Sequence, residues 1–303
     1  MARVLVSGSS GLIGSALVPS LQAAGHEVAR LVRRPTQAPN EIFWNPETGE
    51  LDRAALEGFD AVIHLSGFGI AERRWNDEVK SLIRNSRVQS TKLLAEALTS
   101  LSVKPRVLAS ASAVGYYGDR GMEELSEESP PGKDFLSQVC QEWESAALSA
   151  ASAGIRVVCC RLGVVLSERG GALAKMRLPF LLCLGGRIGS GQQYWSWIHH
   201  QDAVRAFLFV LDQEALAGPV NFTSPEPVTN AEFTRTLGRV LRRPTIFPMP
   251  RFAARLVFGE MADALFLSSA RVRPKKLLDA GFNFDYPNLE AALRHLLQRP
   301  ATT

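Results

Sequence analysis

Near the start of the chain stands Arg3-Val4-Leu5-Val6-Ser7-Gly8-Ser9-Ser10-Gly11-Leu12-Ile13-Gly14, a short apolar run followed by a cluster of glycines and serines. Residues 4–6 are all apolar, which is typical of a strand buried on both faces in a parallel sheet. From Leu12 onward, apolar residues recur at helical spacing as far as Gly25, which can adopt the left-handed conformation that ends a helix. The segment therefore predicts a strand, a glycine turn and a helix.

The three glycines of this turn, Gly8, Gly11 and Gly14, are spaced three residues apart. Glycines in this arrangement allow a tight turn, a close approach of the backbone to a pyrophosphate, and close packing of helix on strand. The N-terminus of the helix would point its N–H groups and its positive dipole end at the anion. Three glycines can also serve turn geometry alone. A second apolar segment at residues 28–32, at the distance that a β-α-β unit needs, favours a dinucleotide site.

The residues after the second strand indicate which dinucleotide fits. A site that selects NAD usually places Asp or Glu there to accept from the ribose 2′-OH, whereas NADP needs a cation for its 2′-phosphate. No acidic residue lies between Val28 and Asn40, and Arg33 and Arg34 follow the strand directly. Arginines after a strand can be plain solvated charges, but at this position they favour NADP(H) as the cofactor.

Length and composition exclude several classes of protein. The 303 residues are 46% hydrophobic and 21% charged, which is ordinary for a globular protein. No apolar run approaches the ~20 residues of a spanning helix, and the chain enters its first strand without a signal peptide. We therefore expect a cytoplasmic protein with no membrane partner. The net charge of +4 shows no basic block along the chain, so we expect no nucleic-acid partner either.

The cysteines and one histidine are predicted to be structural. Cys140, Cys159, Cys160 and Cys183 lack the spacing of metal ligands, so they are interpreted as small core residues and no metal is expected. His64 lies inside an apolar strand, where a lone histidine is more often a core residue than a ligand.

The order of predicted elements indicates the fold class. Further buried strands are predicted at residues 60–65, 107–112 and 155–162, with helices at 75–101 and 134–153 between them. This alternation predicts an α/β fold with a doubly wound, Rossmann-type parallel sheet in residues 1–165. Residues 35–51, rich in Pro, Asn and Gly, are predicted to be irregular, and the acid-rich residues 122–129 to form a solvated loop.

Beyond Gly163 the alternation ends, and glycines at 185–191 precede the aromatic segment 194–200. This segment could be the wall of a pocket, or a loop leading into a core strand with buried tryptophans. Asp202 and Asn230 are predicted to cap helices. Residues 202–225 are predicted to pack back on the first domain, while 166–201 and 226–303 form a smaller, mostly helical substrate region. Helices are expected there at residues 252–257, 262–268, 271–278 and 289–297.

Together these features resemble the extended short-chain dehydrogenase/reductase superfamily, and more narrowly its atypical branch of epimerase family proteins with a DUF1731-type C-terminal region. The resemblance covers essentially the whole chain. Besides the glycine turn, the motifs that carry it are His64-Leu65-Ser66-Gly67, Arg73-Arg74-Trp75-Asn76, Ser86-Arg87, Thr91-Lys92-Leu93-Leu94, Tyr116-Tyr117-Gly118, residues 185–191 and Trp197-Ile198-His199.

The resemblance implies an NADP(H)-binding Rossmann domain and assigns its binding residues. Around the pyrophosphate it places Gly8, Ser10, Gly11, Leu12 and Ile13. Arg33 and Arg34 would meet the 2′-phosphate, and Leu65, Ser66 and Gly67 would border the adenine-side ribose and phosphates. Arg87 stands where extended members carry Asn and could reach ribose or phosphate oxygens, while Val165 would approach the nicotinamide.

One departure from the family concerns catalysis. Extended members carry Tyr-x-x-x-Lys on the helix after the fourth strand, where Lys lowers the pKa of the phenol for proton exchange. Here Phe135 and Val139 fall at those positions, and a shift by one residue gives Leu136 and Cys140. Ser112 is retained at the position of the family's catalytic Ser or Thr. Candidate replacements for the missing acid are Tyr116, Tyr117 and His199, although each could equally be a packed or capping residue.

The sequence thus leads to three hypotheses. The first is an NADP-dependent oxidoreductase that acts on a carbonyl or hydroxyl substrate, with Ser112, Tyr116 and Tyr117 as candidate catalytic residues. The second is a non-catalytic NADP(H)-binding regulator resembling cell-division inhibitors. The third is a nucleotide-sugar epimerase, which the absence of Tyr-x-x-x-Lys argues against. The protein is expected to be a monomer or a homodimer with a small-molecule substrate.

Overall fold

The computed structural model describes residues 1–298 and divides into two compact units. The first unit comprises Met1–Ala113, Gln138–Arg161 and Val204–Val220. The second comprises Val114–Ser137, Leu162–Ala203 and the residues from Asn221 onward. Each unit is therefore assembled from three separate segments of the chain.

The strands, in chain order, are β1 Arg3–Ser7, β2 Glu27–Val32, β3 Glu41–Asn45, β4 Glu50–Leu51, β5 Ala61–His64, β6 Val107–Ala113, β7 Glu124–Leu125, β8 Arg156–Leu162, β9 Val164–Leu166, β10 Tyr194–Trp195, β11 Trp197–His199, β12 Gly218–Phe222, β13 Val228–Thr229 and β14 Arg271–Val272. The α-helices are α1 Gly14–Ala23, α2 Asp77–Thr99, α3 Phe135–Leu148, α4 Gly171–Leu181, α5 His200–Asp212, α6 Asn230–Leu241, α7 Arg251–Phe258, α8 Lys275–Asp279 and α9 Leu289–Leu297. Shorter helical turns are Ala54–Leu56, Val114–Tyr117, Ser149–Ala153 and Asp263–Leu267.

The central sheet has eight strands in the order β12-β8-β6-β5-β1-β2-β3-β4. β1 pairs in parallel with both β2 and β5, so the direction of winding reverses at β1. β5 pairs with β6 and β2 with β3 in parallel, whereas β4 runs antiparallel to β3 at the edge. This is the predicted doubly wound α/β sheet, and such sheets bind ligands outside the carboxyl ends of their strands at the point of reversal.

The core of the first unit forms where α2 packs on alternate residues of the sheet. Leu5, Val62 and Leu108 come from three adjacent strands and share one apolar cluster with Leu94 and Leu98 of α2. All five side chains are at most 1% exposed. Strands buried in this way present near-continuous apolar sequence, which is why their positions follow from the sequence.

The second unit combines helices with three two-stranded pairings. β9 lies parallel to β11, β10 antiparallel to β13, and β7 parallel to β14. One of its apolar clusters joins Trp195 and Trp197 to Phe233 of α6 and Leu293 of α9. Both tryptophans are buried in the strands β10 and β11, as one of the two interpretations of the aromatic segment predicted.

Several predicted elements are wrong in detail. Residues 35–51 contain β3 and β4, because Trp44 of this segment is buried and supplies part of the core. Residues 271–278 begin as β14, and the helix α8 starts only after Pro274. The acid-rich residues 122–129 include β7, whose Leu125 is fully buried.

The two predicted helix caps are also wrong. Asp202 lies inside α5, and its carboxylate accepts from the backbone N–H groups of Asp285 and Tyr286, each at 2.9 Å. Thr229, not Asn230, caps α6, while the Asn230 amide oxygen accepts from the Ile188 N–H at 2.7 Å. In both cases the polar side chain joins two distant segments of the second unit.

Other predictions are confirmed. Gly25 follows α1 with a φ of +84°, and α9 spans the predicted residues 289–297. His64, Cys140, Cys159 and Cys160 are buried as predicted, whereas Cys183, also expected in the core, is only half-buried. Within residues 1–298, no helix is both long enough and apolar enough to cross a membrane. Residues 299–303, the end of the predicted C-terminal region, lie outside the described residues.

Candidate functional site

The glycine turn, defined as residues 8–14, connects β1 to α1 at the point where the sheet reverses. Gly8 has a φ of +68°, and a Cβ there would lie 2.7 Å from the Leu65 carbonyl carbon. A Cβ on Gly14 would overlap the Gly8 carbonyl oxygen. The turn can therefore form only with glycine at both positions, as its spacing predicted.

The start of α1 leaves backbone donors for a ligand. Its N-cap is Ile13, which makes no capping hydrogen bond with its side chain. The Gly11 N–H donates to the Gly8 oxygen at 3.0 Å, while Ser10 and Gly11 are exposed and Leu12 is half-buried. Because the first N–H groups of a helix lack partners within the helix, they can bind an anion at this end.

The segment after β5 lies against the glycine turn. The Leu65 N–H donates to the Ser7 carbonyl oxygen at 3.3 Å and to its hydroxyl at 3.2 Å. A Cβ on Gly67 would lie 3.4 Å from the guanidinium carbon of Arg87. The structure thus brings Gly8, Leu65 and Arg87 into one region of the first unit.

Arg87 of α2 is held by the protein on two sides. Its Nη1 donates to the Ile83 carbonyl at 2.9 Å, and its guanidinium carbon lies 5.2 Å from the centroid of a Trp143 ring. Burial lowers the pKa of Arg87, although the group stays charged at any physiological pH. A held guanidinium of this kind is suited to binding ribose or phosphate oxygens.

A buried polar network under the turn fixes its position. His64 Nδ1 lies 2.6 Å from the Ser7 hydroxyl, and its Nε2 lies 2.9 Å from the Thr91 hydroxyl and 3.3 Å from that of Ser90. The Ser90 hydroxyl also donates to the Ser86 carbonyl at 2.7 Å. Burial lowers the pKa of His64 to about 4, so the ring is neutral and ties β1, β5 and α2 together.

The two arginines after β2 are in different situations. Arg34 makes two bonds to Glu41, with Nη1 to Oε2 at 2.9 Å and Nη2 to Oε1 at 2.6 Å. Glu41 also binds Arg30 at 2.9 Å and accepts from the Gln37 N–H at 2.7 Å. Arg33 is exposed and bonds to no other residue among those described. Arg33 is therefore the guanidinium available to a ligand.

The sequence did not indicate that Glu41 belongs to this site, because the stretch without acidic residues runs from Val28 to Asn40 and Glu41 follows directly after it. Its side chain is 1% exposed, yet the hydrogen bond from Arg34, with that from the Gln37 N–H, lowers its pKa to about 2. The carboxylate stays ionised and neutralises charge on Arg30 and Arg34. The sequence feature that could have indicated a buried carboxylate is the position of Glu41 directly before the apolar residues 42–44.

Ser112, the candidate catalytic serine, belongs to a closed ion-pair cluster. Its hydroxyl donates to Glu144 Oε1 at 2.6 Å. Arg161 binds the same carboxylate in bidentate fashion, with Nε to Oε1 at 2.7 Å and Nη2 to Oε2 at 2.8 Å. Side chains of this Ser112 cluster, defined as Ser112, Glu144 and Arg161, are nearly buried. The Ser112 proton is therefore directed at Glu144.

The helix expected to carry Tyr-x-x-x-Lys presents other residues. Val139 and Cys140 of α3 are buried, and Glu144 follows Cys140 by one helical turn. Burial, followed by the nearby Glu144 charge, raises the pKa of the Cys140 thiol to about 12. Cys140 therefore remains a neutral thiol at pH 7 and does not replace the missing phenol in proton transfer.

The remaining candidate residues lie in the second unit. The Tyr117 hydroxyl is buried and donates to the Asn221 amide oxygen at 2.7 Å. Tyr116 is half-buried, with its ring 5.3 Å from that of Tyr117. His199 is buried and lies 3.2 Å from a ring nitrogen of His295. Val165 stands in β9, paired with Ile198. Across the described part of the chain, no group of three His, Cys, Asp or Glu residues is arranged to hold a metal ion.

Comparison with known proteins gives a family for both parts of the chain. Residues 4–222 match the model of the NAD dependent epimerase/dehydratase family, and residues 249–296 match a domain of unknown function, DUF1731. "Epimerase family protein ML0860" of Mycobacterium leprae is 45% identical over 300 residues, covering 99% of this chain and 97% of its own.

Two solved structures are similar over nearly the whole chain. The human epimerase family protein SDR39U1 (isoform 2), crystallised with NADPH, is 36% identical with a TM-score of 0.90, covering 98% of this chain and 100% of its own. A nucleoside-diphosphate sugar epimerase from Corynebacterium glutamicum is 37% identical with a TM-score of 0.81, and the match covers 98% of this chain and 58% of its own. The chain therefore belongs to the NAD dependent epimerase/dehydratase family, among the epimerase family proteins that carry a C-terminal DUF1731 region.

Proposed function

We propose that the first unit binds NADP(H) and that the protein is an NADP-dependent oxidoreductase acting on a carbonyl or hydroxyl substrate. The observation that carries the proposal is the glycine turn together with an exposed, unpaired Arg33, while Glu41, the first acidic residue after Arg33 in the sequence, is already bonded to Arg34. A 2′-phosphate beside Arg33 would therefore meet a cation without a competing carboxylate. The NADPH in the human SDR39U1 crystal structure supports the same choice of cofactor.

The residues present fit such a dinucleotide. Side chains at Gly8 and Gly14 would clash with the protein's own backbone, and their absence leaves the N-terminus of α1 open to a pyrophosphate. Leu65, Ser66 and Gly67 border that space, and Arg87 adds a fixed positive charge. The predicted roles of Ser10, Gly11, Leu12, Ile13 and Val165 are part of this proposal.

Bound NADPH would supply a hydride, so the protein's task is to orient the substrate and move a proton. Ser112 is poorly suited to donating this proton, because its hydroxyl already donates to Glu144. Tyr117 likewise directs its hydroxyl at Asn221. Tyr116 is the more exposed phenol of the pair, and we assign the proton-donor role first to it because a substrate can reach a half-buried ring more easily than a buried one.

The binding test compares NADPH and NADH by calorimetric titration of wild type, Arg33→Ala and Arg34→Ala. Loss of a charge-assisted hydrogen bond is worth about 1.5–3 kcal/mol, so Arg33→Ala should weaken NADPH binding roughly 10- to 100-fold and leave NADH binding unchanged. Arg34→Ala should have the smaller effect. Arg53→Ala, a change of an exposed arginine elsewhere in the first unit, serves as the matched control. Equal loss of affinity for both nucleotides would contradict the proposal.

One set of observations favours a second function, that of a non-catalytic NADP(H)-binding regulator. Phe135 and Val139 replace the usual phenol and ammonium, and the Ser112 proton is already bonded within the Ser112 cluster. NADPH consumption with a panel of carbonyl compounds separates the two functions. Turnover that falls about 100-fold in Tyr116→Phe and little in Tyr117→Phe would support the oxidoreductase. Binding without turnover would support the regulator.

The printed name of the Corynebacterium glutamicum structure raises a third possibility, nucleotide-sugar epimerisation. That reaction passes through a keto intermediate and needs efficient proton exchange, which the missing Tyr and Lys do not favour. Incubation with UDP-sugars followed by chromatographic separation of epimers tests it, and any epimerised product would place this function above the oxidoreductase.

A further inference from the structure

Two segments of the second unit combine exposed apolar side chains with a one-sided charge. Residues 169–191 and 233–259 together contain ten Lys and Arg residues and no Asp or Glu. In the rest of the chain, acidic residues outnumber basic ones. The net charge of +4 therefore conceals a strong asymmetry, although no single stretch of the sequence forms a basic block.

The two segments form one continuous surface. The Met249 N–H donates to the Arg187 carbonyl at 2.8 Å, and the Gly189 N–H donates to the Met249 carbonyl at 2.9 Å. Arg243 Nε donates to the Leu181 carbonyl at 3.1 Å, which joins the end of α4 to the segment that leads into α7. We call this surface, formed by residues 175–190 and 242–257, the basic apolar face.

Large apolar side chains project from this face into solvent. Phe252 is 74% exposed and Leu256, one helical turn later on α7, is 75% exposed. Ala254, on the other side of the helix, is fully buried. More than half of the surface is also exposed on Leu178, Leu182, Leu184, Ile246 and Phe247. Seven large apolar side chains on one face, each more than half exposed, are unusual on a protein that has no partner.

Basic residues flank these apolar groups in the sequence, and at least three of them have no counter-charge among the described residues. Arg239 pairs with Glu290 and Arg255 with Asp263. Arg177, Arg242 and Arg251 are exposed and form no ion pair with any residue of the described chain. A second copy of the chain does not fit the face, because a two-fold dimer would oppose arginines to arginines.

We propose that the basic apolar face docks the protein on the surface of an anionic lipid bilayer. Phe252 and Leu256 would insert at the boundary between headgroups and acyl chains, with α7 lying in the plane of the interface. Arg177, Arg242 and Arg251 would contact the phosphates of anionic headgroups. This binding is peripheral, and it revises the expectation that the protein has no membrane partner.

The test is co-sedimentation of the full chain with vesicles of phosphatidylcholine alone and of phosphatidylcholine with 30 mol% phosphatidylglycerol, at low and at high salt. Binding is expected only to the anionic vesicles and should weaken as salt is added. Each arginine at an anionic surface contributes about fivefold, so the double variant Arg177→Gln, Arg251→Gln should lower the partition coefficient roughly 25-fold.

The apolar contribution is tested by Phe252→Ser with Leu256→Ser, which should lower the partition coefficient by at least about tenfold. Val103→Ser and Met122→Ser, both changes of exposed apolar residues outside residues 175–190 and 242–257, are the matched controls and should bind like wild type. Because the changed side chains are exposed, thermal unfolding should be nearly unchanged, and this measurement verifies folding independently of cofactor binding.

Other outcomes would overturn the proposal. Equal binding to both kinds of vesicle, or none to either, would exclude anionic lipid as the occupant. If the arginine variants weakened vesicle binding but the serine variants did not, the natural ligand of the face would be a simple polyanion such as nucleic acid. Binding of a synthetic acidic amphipathic helix, with no binding to vesicles, would assign the face to a protein partner.

Discussion

The glycine turn and the Ser112 cluster lie in the same unit, but only in the cluster are the polar side chains hydrogen-bonded to one another. Around the turn, the N-terminus of α1 carries no side-chain cap and Arg33 bonds to nothing else among residues 1–298. In the cluster, the hydroxyl, the carboxylate and the guanidinium bond to one another at 2.6–2.8 Å. The glycine turn therefore has hydrogen-bond donors left for a ligand, whereas the donors of the Ser112 cluster are bonded to its own acceptors.

This difference separates binding from catalysis. A site that holds an anion needs donors without internal partners, and the turn supplies them. A catalytic serine needs its hydroxyl proton for the substrate, and the Ser112 hydroxyl already donates its hydrogen bond to Glu144. Under the proposed function, the glycine turn would hold the cofactor, whereas the Ser112 hydroxyl is part of the buried framework of the first unit.

The largest expected effect comes from breaking the cluster. Glu144→Gln leaves the Arg161 guanidinium buried without a counter-charge, which should lower the free energy of unfolding by about 3–5 kcal/mol. Ser112→Ala removes one hydrogen bond and should cost only about 1 kcal/mol. Urea denaturation measures both. If Glu144→Gln unfolded like wild type but lost turnover, the cluster would belong to the chemistry and the contrast with the turn would disappear.

A somewhat smaller effect is expected at the turn. Gly14→Ala places a methyl group on the Gly8 carbonyl oxygen, which should cost about 3 kcal/mol of stability and abolish NADPH binding. Gly25→Ala is the control, because its Cβ meets no atom within 4 Å and only its positive φ is strained. It should lower stability by about 1 kcal/mol and leave NADPH affinity intact. Tight binding by Gly14→Ala would show that the turn is not the cofactor cradle.

The smallest effect concerns the acid sensitivity of the histidine beneath the turn. Because burial holds the pKa of His64 near 4, the native ring stays neutral at pH 5 while the unfolded chain, with a pKa near 6.5, takes up a proton. Stability should therefore fall by about 2 kcal/mol between pH 7 and pH 5. His64→Gln should be less stable at pH 7 but lose less on acidification. Parallel pH profiles for the two proteins would show that His64 is not the group responsible.

The sequence predicted the glycine turn well because the physical requirement is local. Glycine spacing, a buried strand and a helix that ends at Gly25 all lie within residues 3–25, so no distant partner had to be known. The same holds for His64, whose apolar neighbours identified it as a core residue. The parallel strands followed from their continuous apolar sequence, which only a sheet covered on both faces requires.

The buried carboxylates could not be predicted in this way, because their partners are distant in sequence. Glu41 faces Arg30 only through the pairing of β3 with β2, and residues 35–51 were expected to be irregular. Glu144 meets Ser112 and Arg161 from two different strands, and a charged residue on a helix is normally expected to be exposed. The basic apolar face likewise forms only when segments far apart in the sequence come together.

The bond between Glu41 and Arg34 has a consequence for how this protein could evolve. The Glu41 carboxylate already binds Arg34, so under the proposed function Arg33 alone would distinguish NADP(H) from NAD(H). A lineage could then exchange its source of reducing equivalents through one codon, without disturbing the fold that carries it.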